Sequence, residues 1–93
     1  MLDASSRVSL PRGVRLTESA VHGGWVLMAP ERVFKADAIA VEILKRCDGK
    51  ATIGDIVADL AATFAAPADR IQADVLALLT PLAEKRLLQV ENG

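Results

Sequence analysis

The 93-residue chain contains no tyrosine, one histidine and one cysteine, and its aromatic residues are Trp25, Phe34 and Phe64 alone. A single cysteine closes no internal disulfide, and one cysteine with one histidine cannot complete a tetrahedral zinc site. A chain this poor in His, Cys and Tyr has few of the usual groups for acid–base or nucleophilic work. No nucleophile–base pair or Gly-rich phosphate loop can be assembled from it. The expectation is a non-enzymatic module with no catalytic residues, no metal and no cofactor. A net charge of -1 offers no general electrostatic grip on nucleic acid. Charges interrupt every apolar run before it nears the ~20 residues of a membrane span. Residues 1–12 lack the apolar stretch of a signal peptide, and a lone cysteine suits a reducing compartment. These features predict a cytoplasmic protein without a membrane partner.

Apolar residues are abundant: 52% of the chain is hydrophobic, with Ala and Leu dominant. That is too apolar, at too small a net charge, for a disordered chain. Residues 1–12 (MLDASSRVSLPR) are polar and aperiodic and read as a flexible N-terminal arm; residues 13–93 read as a single domain. Within that domain, residues 14–35 carry strand signals. Val14, Leu16 and Val21 are separated by polar residues, and Trp25-Val26-Leu27-Met28 favours β structure. His22-Gly23-Gly24 supplies loop chemistry between them. Pro30 at the second position of Ala29-Pro30-Glu31-Arg32 predicts a type I turn, followed by a short third strand over Arg32–Lys35. The pattern is a three-stranded antiparallel meander.

From Asp37 the period changes to that of helices. Ala40, Ile43, Leu44 and Cys47 share one face of a first helix capped by Asp37, with Asp48-Gly49 as its stop. Thr52 caps a second helix with Asp55 three residues on, in the manner of a capping box. Pro67 suits the first turn of a third helix, whose core stripe is Ile71, Val75, Leu78, Leu79 and Leu82. Pro81 within that pattern predicts a kink near Ala77–Pro81 or an early end. Leu87-Leu88-Gln89-Val90 reads as a short terminal strand. The fold class is α+β.

On a wheel with Ile71 at 0°, the apolar arc of the third helix reaches Leu79, Ala83 and Leu76 at about 80°, 120° and 140°. It spans roughly 160°, wider than the ~100° stripe one core contact requires. Either the helix is buried on two sides or one flank lines a groove. The third strand falls at a sheet edge, where unpaired N–H and C=O groups accept an added strand. The same edge could pair with a second copy of the chain and give a homodimer. Residues 1–36 carry a net +2 and residues 37–93 a net -3, so an acidic peptide is tolerated beside the sheet. Individual polar candidates have plain structural roles. Cys47 reads as an inert buried thiol, His22 as a solvated turn residue and Trp25 as core. Asp74 reads as a surface or hydrogen-bonding residue beside the core stripe, and Asp55 with Asp59 as a solvated acidic face.

Several segments taken together carry a resemblance. They are Gly13-Val14-Arg15-Leu16, Trp25 through Val33 with its Ala-Pro-Glu-Arg turn, Ile43 through Gly49 with Cys-Asp-Gly, Thr52-Ile53-x-Asp55-Ile56, Ile71-x-x-Asp74-Val75, Leu79, Leu82 and Leu87-Leu88. In this order and spacing they resemble the PqqD family of pyrroloquinoline quinone (PQQ) biosynthesis, from about Gly13 to Val90. The resemblance implies a winged helix-turn-helix-like domain that binds peptide rather than DNA. Its ligand would be the precursor peptide PqqA, whose Glu and Tyr become the cofactor. Its partner would be PqqE, the radical S-adenosylmethionine enzyme that joins those two side chains. In this class the peptide adds as a strand beside the third strand and lies against the third helix. Carried onto this chain, the implied peptide-binding residues are Arg32, Val33, Phe34 and Lys35. On the third helix the wheel selects Gln72, Leu76 and Leu79. Pro81 and Glu18 depart from the family's pattern. The alternative is a winged-helix DNA-binding protein, but the third helical region sets Arg70, Lys85 and Arg86 against Asp69, Asp74 and Glu84 and lacks a basic footprint.

Overall fold

A computed structural model describes residues 2–92; Met1 and Gly93, which the arm and domain readings include, lie outside the described residues. Among the described residues nine elements follow one another: β1 (Ser6–Ser9), β2 (Arg15–Ser19), β3 (Gly24–Ala29), β4 (Arg32–Lys35), α1 (Ala38–Lys45), β5 (Asp48–Thr52), α2 (Ile53–Phe64), α3 (Ala68–Glu84) and β6 (Gln89–Asn92). The architecture is α+β. Strands β2, β3 and β4 form the expected antiparallel meander, in that order. A second three-stranded sheet has the order β5-β1-β6, with β1 antiparallel to both neighbours.

The second sheet corrects the reading of residues 1–12 as a flexible arm. Ser6–Ser9 is its central strand, and alternation buries Ser6 and Val8 completely while Arg7 stays exposed. The segment enters this strand through a turn in which the Ser6 N–H donates to the Asp3 carbonyl and the Ser5 N–H donates to the Asp3 carboxylate. The Ser5 hydroxyl also donates to that carboxylate, and it and the Ser5 N–H hold the exposed Asp3 carboxyl below its ordinary pKa. Just before the strand, the Ala4 carbonyl accepts from the Gly54 N–H at 2.9 Å, satisfying a donor in the first turn of α2. A Cβ on Gly54 would stand 3.1 Å from the Ala4 oxygen, tighter than ordinary van der Waals contact, so glycine eases this approach.

The N-caps of α1 and α2 match their sequence signals, whereas Pro67, expected in the first turn of the third helix, stands one place earlier as the N-cap of α3. The Asp37 carboxylate accepts from the Ala40 N–H at 2.8 Å, and Thr52 and Asp55 form a reciprocal capping box. That box and its backbone bonds lower the Asp55 pKa. The expected helix stop at Asp48-Gly49 is displaced. α1 is capped earlier, at Arg46, and Asp48-Gly49 instead opens β5. Asp48 accepts from the N–H groups of Lys50 and Ala51, and Gly49 takes φ +81° with Ser9 beside it. Arg46 joins α1 to α2 by pairing with both Glu42 and Asp59, which lowers the Glu42 pKa and raises its own. α3 does not end early at Pro81 but continues to Glu84.

One core holds these parts together. Val8 of β1, Leu27 of β3, Ile43 and Leu44 of α1, Ile53, Ile56 and Leu60 of α2, and Val75 and Leu79 of α3 all belong to it. Cys47 lies at its margin, with its thiol facing the Ile43 carbonyl. Burial, aided by the Asp48 charge, pushes the Cys47 pKa up to about 12. The thiol is therefore protonated and screened at neutral pH. A disulfide-exchange reagent at pH 8 is expected to label the native chain only as fast as the domain unfolds. Rapid stoichiometric labelling before unfolding would contradict this placement.

Among the described residues, three other than glycine sit at positive φ: Glu31 (65°), Ala65 (51°) and Arg86 (60°). At Glu31 the third position of the Pro30-Glu31 turn is left-handed, as in a type II turn, which corrects the expected type I. Arg86 closes α3 in a Schellman arrangement: its N–H donates to Ala83, and the Leu87 N–H donates to Leu82 at 2.8 Å. Left-handed backbone costs an alanine or arginine about 1 kcal/mol or more that glycine does not incur. Ala65→Gly and Arg86→Gly are each expected to stabilise the domain by about 0.5–1 kcal/mol after the glycine's unfolded-state entropy is counted. Thermal melts check this as a rise of several degrees per substitution.

Candidate functional site

The free edge of the meander is β4. It pairs with β3 through Ala29↔Arg32, Met28↔Val33, Leu27↔Phe34 and Val26↔Lys35, and it has no other strand neighbour among the described residues. In an antiparallel ladder, residues that bond to the partner alternate with residues whose N–H and C=O point away. The Ala36 N–H donates to the Trp25 carbonyl at 3.0 Å, which sets the phase. Ala36, Phe34 and Arg32 therefore bond inward to β3. Val33 and Lys35 turn both their backbone donors and acceptors outward, free for another strand.

Side chains on β4 follow the complementary alternation. Phe34 is half-buried against the core, and the Lys85 ammonium stands 5.4 Å from its ring centroid. Val33 is exposed at 41%, an apolar side chain on an open edge. Arg32 and Lys35 are exposed and give the strand a positive rim. Trp25, across the hairpin, is half-buried with the Lys45 ammonium 5.2 Å from its ring centroid.

Beyond the end of β4 the chain reaches Asp37 and enters α1. There an open groove of about 310 Å³ separates α1 from α3. Asp37, Ile39, Ala40 and Ile43 line one side, and Asp74, Ala77 and Leu78 line the other. Ile39 is 45% exposed into solvent. A second depression, lined by Trp25, Lys35 and Ala36 among others, also reaches Asp37, so the end of β4 and the groove meet at that residue.

The helix residues selected from the wheel are placed differently from the strand residues. Gln72 is exposed, Leu76 is half-buried against the core, and Leu79 is fully buried. Leu79 is a core residue with no surface to offer, which corrects its assignment. None of the three lines the groove; the α3 residues that do are Asp74, Ala77 and Leu78, on the opposite flank. A wheel shows that the apolar arc is too wide, but it does not show on which side α1 packs. The available signal was Asp74, a carboxylate set against the apolar stripe. No hydrogen bond or ion pair to Asp74 is found among the described residues, so the hydrogen-bonding role is not seen. The described residues also contain no group of three or more His, Cys, Asp or Glu able to hold a metal. No helix of the described residues is long and apolar enough to cross a membrane.

Comparison with known proteins places this geometry in a lineage. Residues 24–88 match the family described as Coenzyme PQQ synthesis protein D (PqqD). A PqqA binding protein of Bradyrhizobium diazoefficiens is 45% identical over 84 residues, covering 90% of this chain and 82% of that protein. A PqqA binding protein of Xanthomonas axonopodis pv. citri is 45% identical over 85 residues, covering 91% and 92%. Among solved structures, the solution structure of the PqqD part of Methylobacterium extorquens PqqCD superposes with a TM-score of 0.81 at 43% identity, covering 96% of this chain and 95% of that one. That structure is described as a functional, stand-alone recognition element for ribosomally synthesised and post-translationally modified peptides. The crystal structure of PqqD from Xanthomonas campestris gives a TM-score of 0.61 at 44% identity, covering 87% and 90%.

Proposed function

This chain belongs to the PqqD family, and from that premise we propose that it is a non-catalytic recognition element that binds the precursor peptide PqqA and presents it to the radical enzyme PqqE. The observation that carries the reading is the free edge of β4, with the backbone groups of Val33 and Lys35 turned outward next to an open groove. PqqA adds there as an antiparallel or parallel fourth strand. Arg32, Val33, Phe34 and Lys35 are its binding residues, with Gln72 and Leu76 outside the contact and Asp74, Ala77 and Leu78 inside it. Backbone pairing supplies affinity, and the groove takes a side chain from the segment beyond the strand. Ordering a flexible peptide is costly, so a few buried anchors carry most of the net binding.

Catalysis belongs to the partner. Holding PqqA near PqqE raises its effective concentration at that active site without any chemistry here. A DNA-reading role is not favoured, because α3 sets Arg70 against Asp69, Asp74 and Glu84. The test is a titration of isotope-labelled chain with unlabelled PqqA. Amide shifts are expected over residues 32–37 and 74–78. A binding isotherm with no movement in either segment sinks the reading. The presentation step is tested separately: at subsaturating PqqA, added chain should raise the rate of the PqqE crosslinking reaction.

A further inference from the structure

We propose that the groove between α1 and α3 selects a cationic side chain of the bound peptide, a lysine or arginine lying just beyond the segment that pairs with β4. The inference rests on the peptide-binding reading and names what the groove recognises. Its walls are apolar, with Ile39 and Ala40 on one side and Ala77 and Leu78 on the other, and each side also presents one carboxylate, Asp37 or Asp74. A lysine or arginine has the matching anatomy, a hydrocarbon stem ending in a charge. A purely apolar occupant would cover the Asp74 carboxylate and the second oxygen of Asp37 without giving them a partner, which is costly. An acidic occupant would add repulsion.

Both carboxylates have capacity for a ligand. Asp74 has no ion pair among the described residues, although Arg70 precedes it by one helical turn. Asp37 uses one oxygen, Oδ1, to cap α1 through the Ala40 N–H. Charge also reverses sign along the surface, from Arg32 and Lys35 on the strand to Asp37 and Asp74 in the groove. A peptide that places an acidic residue against β4 and a basic one past its end fits in one direction and one register. A reversed or slipped peptide meets like charges. The groove thus contributes specificity as well as affinity, as electrostatic complementarity does at other interfaces.

The experiment is a double-mutant cycle. PqqA is prepared with each lysine or arginine replaced singly by glutamine and titrated against the parent chain, Asp74→Asn and Asp37→Asn. Asparagine caps helices as well as aspartate, so α1 survives the second change. Replacement of one particular basic residue is expected to weaken binding to the parent roughly tenfold, as loss of a charge-assisted hydrogen bond does. Asp74→Asn should weaken the unmodified peptide by a similar factor. The two changes together should cost much less than the product of the single losses. Added salt should weaken the parent complex more than that of Asp74→Asn. If every basic residue of PqqA is replaceable without loss, or if the losses multiply independently, the inference is overturned while peptide binding stands. If the parent chain does not bind PqqA at all, the peptide-binding reading falls and this inference with it.

Discussion

Val8→Asp is expected to leave the domain without a cooperative thermal transition. Val8 is completely buried in the middle strand of the β5-β1-β6 sheet, at the pair Val8↔Val90. An aspartate there either buries an unpaired carboxylate, at a cost of several kcal/mol, or tears β1 from the sheet. Loss of β1 separates β5 from β6, because neither pairs with the other. It also removes the Ala4 carbonyl from the Gly54 N–H at the start of α2. A 93-residue domain has a total stability of roughly 5–14 kcal/mol, so a loss of this size is comparable with the whole. Val8→Ala, which keeps the strand and only removes methyl groups, should cost about 2 kcal/mol and lower the melting temperature by roughly 8–16 °C. Circular dichroism melts of the two variants separate the alternatives. If residues 1–12 formed a detached arm, both would melt like the parent.

That contrast shows where the sequence is legible and where it is not. The helices announce themselves through local chemistry: Asp37 and Thr52 as caps, Asp55 reaching back, and apolar residues at helical spacing. The meander is legible because Trp25–Met28 is an apolar run opened by two strong β formers, Trp25 and Val26, and Pro30 marks the turn. The second sheet is nearly silent by comparison. Its strands Ser6–Ser9 and Asp48–Thr52 are four and five residues long, and neither holds more than one large apolar side chain. Their stability comes from pairing across long separations, Arg7↔Thr52 and Arg7↔Glu91, which no local window contains. The inward position of Ser6 hides the alternation further, because a buried serine reads as a polar residue. The one local hint is Val8 followed by Leu10 two residues on.

The same limit governs the candidate site. The strand half, Arg32–Lys35, is readable because a short strand after a tight turn at the end of a meander must be an edge. The helix half is not, because it depends on which flank of α3 faces α1. The wide apolar arc is explained mostly by burial, with Ile71, Val75, Leu79 and Leu82 all in the core. The groove uses the margin of the arc on the Leu78 side, where Asp74 interrupts it. A charged residue beside a core stripe therefore carried more information about the groove than the apolar residues did.

Lys35→Pro and Val33→Pro should abolish strand addition while leaving the domain folded. Proline removes one backbone donor and fixes φ near −65°, and within sheets it is tolerated at edges where that donor faces solvent. The N–H groups of residues 33 and 35 are such donors, since Phe34 and Ala36 make the bonds to β3. The residue before each proline is Arg32 or Phe34, already extended, so the restriction on that position costs little. The melting temperature is expected to stay within a few degrees of the parent. Peptide binding should fall steeply, because the proline leaves a carbonyl of the added strand without its partner and sets a ring in its path. An unsatisfied acceptor costs about 1–3 kcal/mol, a roughly 5- to 150-fold loss of affinity at each position. Lys35→Gln separates the charge from the backbone effect, since it keeps the N–H and removes only the ammonium. Phe34→Pro is the internal contrast: its N–H belongs to the β3 ladder, so this variant should lose stability as well as binding. Equal binding by the parent and both edge prolines would mean that the peptide does not add to β4, whatever it does in the groove. Loss of binding in Lys35→Pro with retention in Lys35→Gln would locate the affinity in the backbone. Such a strand contact tolerates many peptide sequences, so the discrimination among them must come from the side-chain groove at its end.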